Sequence, residues 1–125
     1  MTRYLEVEAM LPQLRRIGFV VRDPGLLASA LAPPEASVFG EDAYPTLWLK
    51  SAAVFESVIK NHPMLDGNKR TAWIALNVFL AINRHRLRAS TDDAFDFILE
   101  VATKHLGLAQ AAEWIDRHSV PIEWS

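Results

Sequence analysis

The sequence predicts an all-α fold, a compact bundle of about six helices around one buried central helix. Three observations predict it. Apolar residues recur at helical spacing in several separate windows, and prolines, glycines and Asp or Thr starts punctuate those windows at lengths a globular helix fills. No convincing alternating strand pair, repeat or low-complexity tract appears anywhere. With 125 residues, 50% of them hydrophobic and 22% charged, the chain has enough apolar material for a self-sufficient core, and a single domain over residues 1–125 is expected.

Val7, Met10, Leu11, Leu14 and Ile17 share one helical face and Gly18 can stop it, so a first helix is expected near residues 5 to 17. Asp23 followed by Pro24 reads as an N-cap and first helical position; a short second helix then runs to about Ala32, where Pro33 and Pro34 end it. Residues 33 to 44, PPEASVFGEDAY, form the one long irregular connection, and a loop of about 12 residues is more often functional than idle. From Pro45 the pattern is helical again through Leu47, Val54, Phe55, Val58 and Ile59, stopping at His62 because the residue before a proline is pushed out of the α region.

The next helix restarts near Gly67 and continues to about Asn83. Between Ala72 and Ile82 only Asn77 is polar, and a helix apolar all round is buried, so this window is read as the central helix. Thr91 with Asp92 and Asp93 behind it suits a fifth helix start, with Phe95, Ile98, Leu99 and Ala102 as inner face and Gly107 as stop. A last helix spans about residues 108 to 118 and carries Trp114 and Ile115. Trp48, Trp73 and Trp114 fall in helical patterns and read as core; Trp124 lies in the tail VPIEWS, whose docking the pattern leaves open.

Composition excludes several classes. The absence of cysteine removes disulfides and thiolate metal sites and fits a reducing compartment. The opening MTRYLEVEAM carries charge where a secretory leader would be apolar, and the longest apolar run, Ala72 to Ile82, is well short of the ~20 residues that span a bilayer. A cytoplasmic protein with no membrane partner is expected. A net charge of −2 argues against a dedicated nucleic-acid binder. The cluster Arg84, His85, Arg86 and Arg88 is read as cations favoured at a helix C-terminus rather than as an RNA contact, and His105 and His118, lacking any paired-ligand spacing, as surface residues.

The stretch NHPMLDGNKR, residues 61 to 70, concentrates the chemistry. The break at Pro63 sets His62 at the end of one helix and Asn68 at the start of the next, so both ends face a common space. The first N–H groups of a helix have no helical partner and the macrodipole is positive there, which favours an anion. Gly67 permits close approach to the backbone. Lys69 and Arg70 leave the first turn about a hundred degrees apart, a spread that suits a polyphosphate. Asp66 runs against this positive trend; a carboxylate beside phosphates calls for a divalent cation, and Mg²⁺ is usually held by one carboxylate plus phosphate oxygens. An imidazole titrates near neutral pH and can take a proton from a hydroxyl nucleophile. The set reads as phosphoryl or nucleotidyl transfer to a hydroxyl. Taken singly, each residue also fits a plain structural role: Asp66 an N-cap, Gly67 a turn, Lys69 and Arg70 a solvated first turn, His62 a helix C-cap.

His62-Pro-Met-Leu-Asp66-Gly67-Asn68-Lys69-Arg70 resembles the signature HxFx(D/N)(G/A)N(G/K)R of the Fic/Doc family, and looks most like its Doc, or death-on-curing, branch. RDPGLLASAL (22–31), FGEDAYPTLWLKSAA (39–53) and RTAWIALNVFLAIN (70–83) extend the resemblance over nearly the whole chain. It implies the compact helical Fic/Doc fold, with His62 as general base, Asp66 as Mg²⁺ ligand, and Asn68, Lys69 and Arg70 as phosphate ligands around a cradle shaped by Gly67. Met64 stands where the signature has Phe, which implies a retuned core contact.

Adenylylating Fic enzymes usually have glycine where this chain has Lys69 and a second arginine where it has Trp73. Those departures favour the Doc-type reaction, in which the γ-phosphate of ATP goes to a target hydroxyl, in the relatives a threonine of elongation factor Tu, arresting translation. Adenylyl transfer is the first alternative and a catalytically silent binding module the second. The 33–44 loop corresponds to the family's target-binding flap, where Phe39 and Tyr44 either touch the target or anchor the loop to the core. The inhibitory pattern (S/T)xxxE(G/N) is not completed, since Thr2 to Glu6 is followed by Val7 and Ser37 to Glu41 by Asp42. The resemblance therefore implies inhibition by a separate antitoxin that inserts a disordered segment into a groove.

Overall fold

A computed structural model describes residues 1–123; Trp124 lies outside the described residues, while the start of the tail is docked, the Ile122 amide donating to the Arg84 carbonyl at 2.9 Å. The fold is all-α with small strand pairs: α1 (Val7–Arg16), α2 (Pro24–Leu31), β1 (Ser37–Val38), β2 (Glu41–Asp42), α3 (Leu47–Asn61), α4 (Asn68–Ile82), β3 (His85–Leu87), α5 (Thr91–Ala102), α6 (Leu108–His118) and β4 (Ser119–Pro121). No described helix is long and apolar enough to cross a membrane.

Local chemistry accounts for most boundaries. The Asp23 carboxylate accepts from the Gly25 amide at 2.8 Å, and Pro24 opens α2. Thr46 caps α3 through a 3.1 Å bond from the Leu49 amide, and the helix ends with His62 in the left-handed region. Ser90, rather than Thr91, caps α5, accepting from the Asp93 amide at 3.1 Å. That helix is stopped by Lys104 at φ 63°, while Gly107 serves the start of α6, its amide donating to the Gln110 side chain at 2.9 Å. In α1, Pro12 sits mid-helix on the exposed face, where the missing N–H leaves a carbonyl that water can reach.

The core departs from the sequence reading in three places. The most enclosed helix is α3, which packs against α2, α4, α5 and α6; nine of its 15 residues are buried, from Lys50 to Ile59, against six of 15 in α4. An apolar composition set α4 against this hub without making it the hub. The inner face of α5 is Phe97 and Val101, while Phe95 and Leu99, expected inside, are 63% and 44% exposed. Phe97 wins because it fits an aromatic stack, 5.3 Å from Phe55 of α3 and 3.9 Å from Trp114 of α6 by ring centroids. Trp48, Trp73 and Trp114 are half-buried at the rim of the core.

The third departure is strand. Residues 85–87 pair antiparallel with 119–121 in the register His85↔Pro121, Arg86↔Val120, Leu87↔Ser119, so the basic cluster lies in a ribbon past α4 and not in a helical last turn. His118 leaves the surface to stack on Trp114 at 3.9 Å, whereas His105 is exposed as expected. The 33–44 connection holds a 3-10 turn, Pro33–Glu35, and the hairpin β1–β2, registered Ser37↔Asp42 and Val38↔Glu41. Its tip residues Phe39 and Gly40 both have positive φ, 51° and 81°, the pattern of a two-residue hairpin turn.

Candidate active site

The two helix ends on either side of Pro63 open into one cleft of about 850 Å³ lined by His62, Asp66, Gly67, Asn68, Lys69 and Arg70. The common space expected from the proline break is there. Pro63 and Met64 turn inward and are buried, while His62, Leu65, Asp66, Lys69 and Arg70 are exposed. Met64, 1% exposed, occupies a core position as its apolar character requires.

A distant segment holds the bend in place. Residues 20–22, between α1 and α2, run antiparallel to residues 63–65: the Arg22 amide donates to the Pro63 carbonyl at 3.0 Å, the Leu65 amide to the Val20 carbonyl at 2.9 Å, and Val21 bridges Met64. The Arg22 guanidinium also donates to the His62 carbonyl at 3.1 Å. His62 therefore is the backbone cap of α3, and its exposed ring makes no hydrogen bond among the described residues.

The Asn68 side chain is engaged within the loop itself. Its Oδ1 accepts from the Met64 amide at 2.9 Å and its Nδ2 donates to the Met64 carbonyl at 3.2 Å, so the carboxamide closes the 64–68 loop. What it offers an anion is its main-chain N–H in the first turn of α4, where no side chain caps the helix. Gly67 also has an internal reason. Its φ is 79° and a Cβ there would stand 2.5 Å from the Phe19 ring, so glycine is required by the packing beneath the loop as well as by the backbone. Arg70 lies over that same ring, 5.1 Å from its centroid, a cation–π seat that orients the guanidinium.

The cleft is electropositive beyond the two expected cations. Lys60 from the end of α3 and Lys104 past α5 join Lys69 and Arg70 on its walls, against the carboxylates of Glu56 and Asp66. Among the described residues ion pairs are confined to Lys50–Asp42 and Glu113–Arg117, so these four cations face the cleft without an acidic partner. Sequence spacing could not find Lys104, Phe19 or Arg22, because each reaches the motif through tertiary contact, while Glu56 and Lys60 precede the motif on α3 and carry no residue pattern that marks them as cleft-lining. Asp66 is exposed, with Oδ1 accepting from the Gly67 amide at 2.8 Å. No group of three or more His, Asp or Glu fit to hold a metal exists among the described residues. One carboxylate beside an anion cradle fits an ion shared with a ligand's phosphates and does not fit an all-protein cage.

Of the two residues expected in a target-binding flap, Phe39 is fully exposed at the hairpin tip and anchors nothing, while Tyr44 is half-buried. Trp73, at the position of the second arginine of adenylylating enzymes, does not line the cleft; its ring meets Phe55 and Phe97 edge-on at 6.3 and 6.5 Å.

Comparison with known proteins identifies the family. A protein of Mycolicibacterium smegmatis named Toxin Doc is 48% identical over 118 residues, covering 90% of each chain. The sequence profile described as Fic/DOC family matches residues 3–80, a span that contains α1 to α3, the hairpin, the whole 61–70 motif and most of α4. With the motif residues gathered on one cleft and that match over more than half its length, the chain belongs to the Fic/DOC family.

Proposed function

We propose that this chain is the toxin of a toxin-antitoxin pair and transfers the γ-phosphate of ATP to a hydroxyl of a protein target. The observation that carries the reading is the meeting, in one cleft, of an unengaged imidazole with an uncapped helix start bearing Lys69 and Arg70. His62 takes the proton of the target hydroxyl as its oxygen attacks the γ-phosphorus; the bond to the β–γ bridging oxygen breaks and ADP leaves. Lys69, Arg70 and the first-turn amides of α4 neutralise charge spreading over the phosphate oxygens. Asp66 would hold Mg²⁺ together with the phosphates. That ion, when bound, supplies further neutralisation of the phosphate charge.

Two features favour γ- over α-phosphate transfer: Lys69 lines the cleft where adenylylating relatives keep glycine, and Trp73 is committed to the aromatic core where they place arginine. The target proposed from the family resemblance is a threonine of a translation factor resembling elongation factor Tu. Incubation with Mg²⁺, cell extract and ATP labelled at either the α or the γ position tests this. Label from the γ position on a translation factor is the expected result, and α label on protein would replace the reading by adenylyl transfer.

The name of the M. smegmatis relative supports the toxin role, and the incomplete inhibitory pattern at Thr2–Glu6 and Ser37–Glu41 supports control by a separate antitoxin with a disordered tail. Expression of the chain alone should arrest growth, and co-expression of a cognate antitoxin should relieve it. Unimpeded growth with soluble chain present would contradict the assignment.

A further inference from the structure

We propose that Lys50 is a positioning residue for the protein target, a latch that fixes the β1–β2 hairpin against α3; the proposal rests on reading that hairpin as the target-binding flap. Every residue from Glu35 to Ala43 is exposed, so the hairpin has no apolar underside. Its strands are two residues each, extended by one bond from the Ala43 amide to the Ala36 carbonyl at 2.8 Å. A ribbon that short does not hold its own geometry in water. Yet it presents Phe39, 101% exposed, and Val38, 56% exposed, and apolar side chains presented this way can select a target only if their position is fixed.

Lys50 supplies the fixing. It is 1% exposed, the only charged residue buried among those described. Its ammonium donates to Asp42 Oδ2 at 3.0 Å and to the Tyr44 carbonyl. These partners are the last residue of β2 and the chain that follows it into the Thr46 cap, so one side chain from the first turn of α3 reaches back over the helix start and grips the hairpin's exit. A methionine or leucine would fill the same volume without the desolvation that a buried ammonium suffers. What the charge adds is a pair of directed bonds to the hairpin and to nothing else. Because Lys50 and His62 stand on the same rigid helix, the latch also sets where the hairpin lies relative to the imidazole. Tyr44 enters through its carbonyl, which any side chain at that position would supply.

The test compares wild type with Lys50→Met, which keeps the stem, and with Asp42→Asn, whose side chain is 57% exposed in the ion pair and whose loss leaves the core intact. Both variants should raise KM for the protein target about tenfold while kcat stays within about twofold. Amides of residues 37–43 should exchange with deuterium about tenfold faster in Lys50→Met, with the helices unchanged. An unchanged KM in folded Lys50→Met and Asp42→Asn would overturn the positioning role. If the wild type modifies no protein, the phosphotransfer reading fails by itself, and hydrogen exchange still decides the latch: faster exchange at 37–43 supports it and equal exchange overturns it.

Discussion

At the scale of single residues, the site is governed by what each side chain is not free to do. Asn68 is tied to Met64 on both sides of its amide, and Asp66 takes the Gly67 N–H. The His62 ring has no such engagement, which leaves it the group able to accept a proton from a bound hydroxyl. Gly67 is the least replaceable position. Gly67→Ala meets both a left-handed backbone at φ 79° and the Phe19 ring at 2.5 Å, and should destabilise the fold by about 1–3 kcal/mol. Thermal unfolding checks this, and pairing it with Phe19→Leu should recover the steric part; a melting curve identical to wild type would remove the packing argument. The motif's residue types were legible in the sequence because 61–70 is contiguous. Phe19, Arg22 and Lys104 were not, since a side chain tens of residues away carries no local mark of the loop it supports; Lys60, next to the motif, was missed because a lysine near a helix end reads as an ordinary solvated cation.

At the scale of elements, helical periodicity located all six helices, and their ends where a cap was read in the sequence, such as Asp23. It misjudged which face of α5 is inside. Residues 95, 98, 99 and 102 form the better apolar stripe, but Phe97 lies between two aromatic rings contributed by α3 and α6, and that stack outweighs the stripe. Phe97→Ala should therefore cost about 3–5 kcal/mol, whereas Phe95→Ala should change stability by less than about 0.5 kcal/mol. Chemical denaturation measures both, and the opposite order would restore the original face. The strand pairs escaped notice for a related reason. Strands of two or three residues are too short for alternation to register, and β4 finds β3 only after α5 and α6 have brought the chain back.

At the scale of the whole molecule, the hub of the bundle is α3, and it joins the hairpin to the cleft. Lys50 near its start holds the hairpin, His62 at its end closes the cleft, and α4 runs away from the cleft with its unpaired amides at the mouth. Composition pointed to α4 as the centre because Ala, Ile, Leu and Phe fill it, but burial depends on neighbours, and α3 has four helices around it even with Lys50, Ser51 and Ser57 among its buried residues. The chain-wide resemblance to the Fic/Doc family was legible because it rests on contiguous motifs.

The most direct measurement of the central claim is γ-labelled phosphate transfer to extract protein by His62→Asn. Asparagine accepts the left-handed backbone that position 62 adopts, φ 47°, so the exchange removes the base without straining the cap. The account predicts wild-type Mg²⁺–ATP binding with transfer reduced about a hundredfold or more. Transfer at the wild-type rate would contradict it.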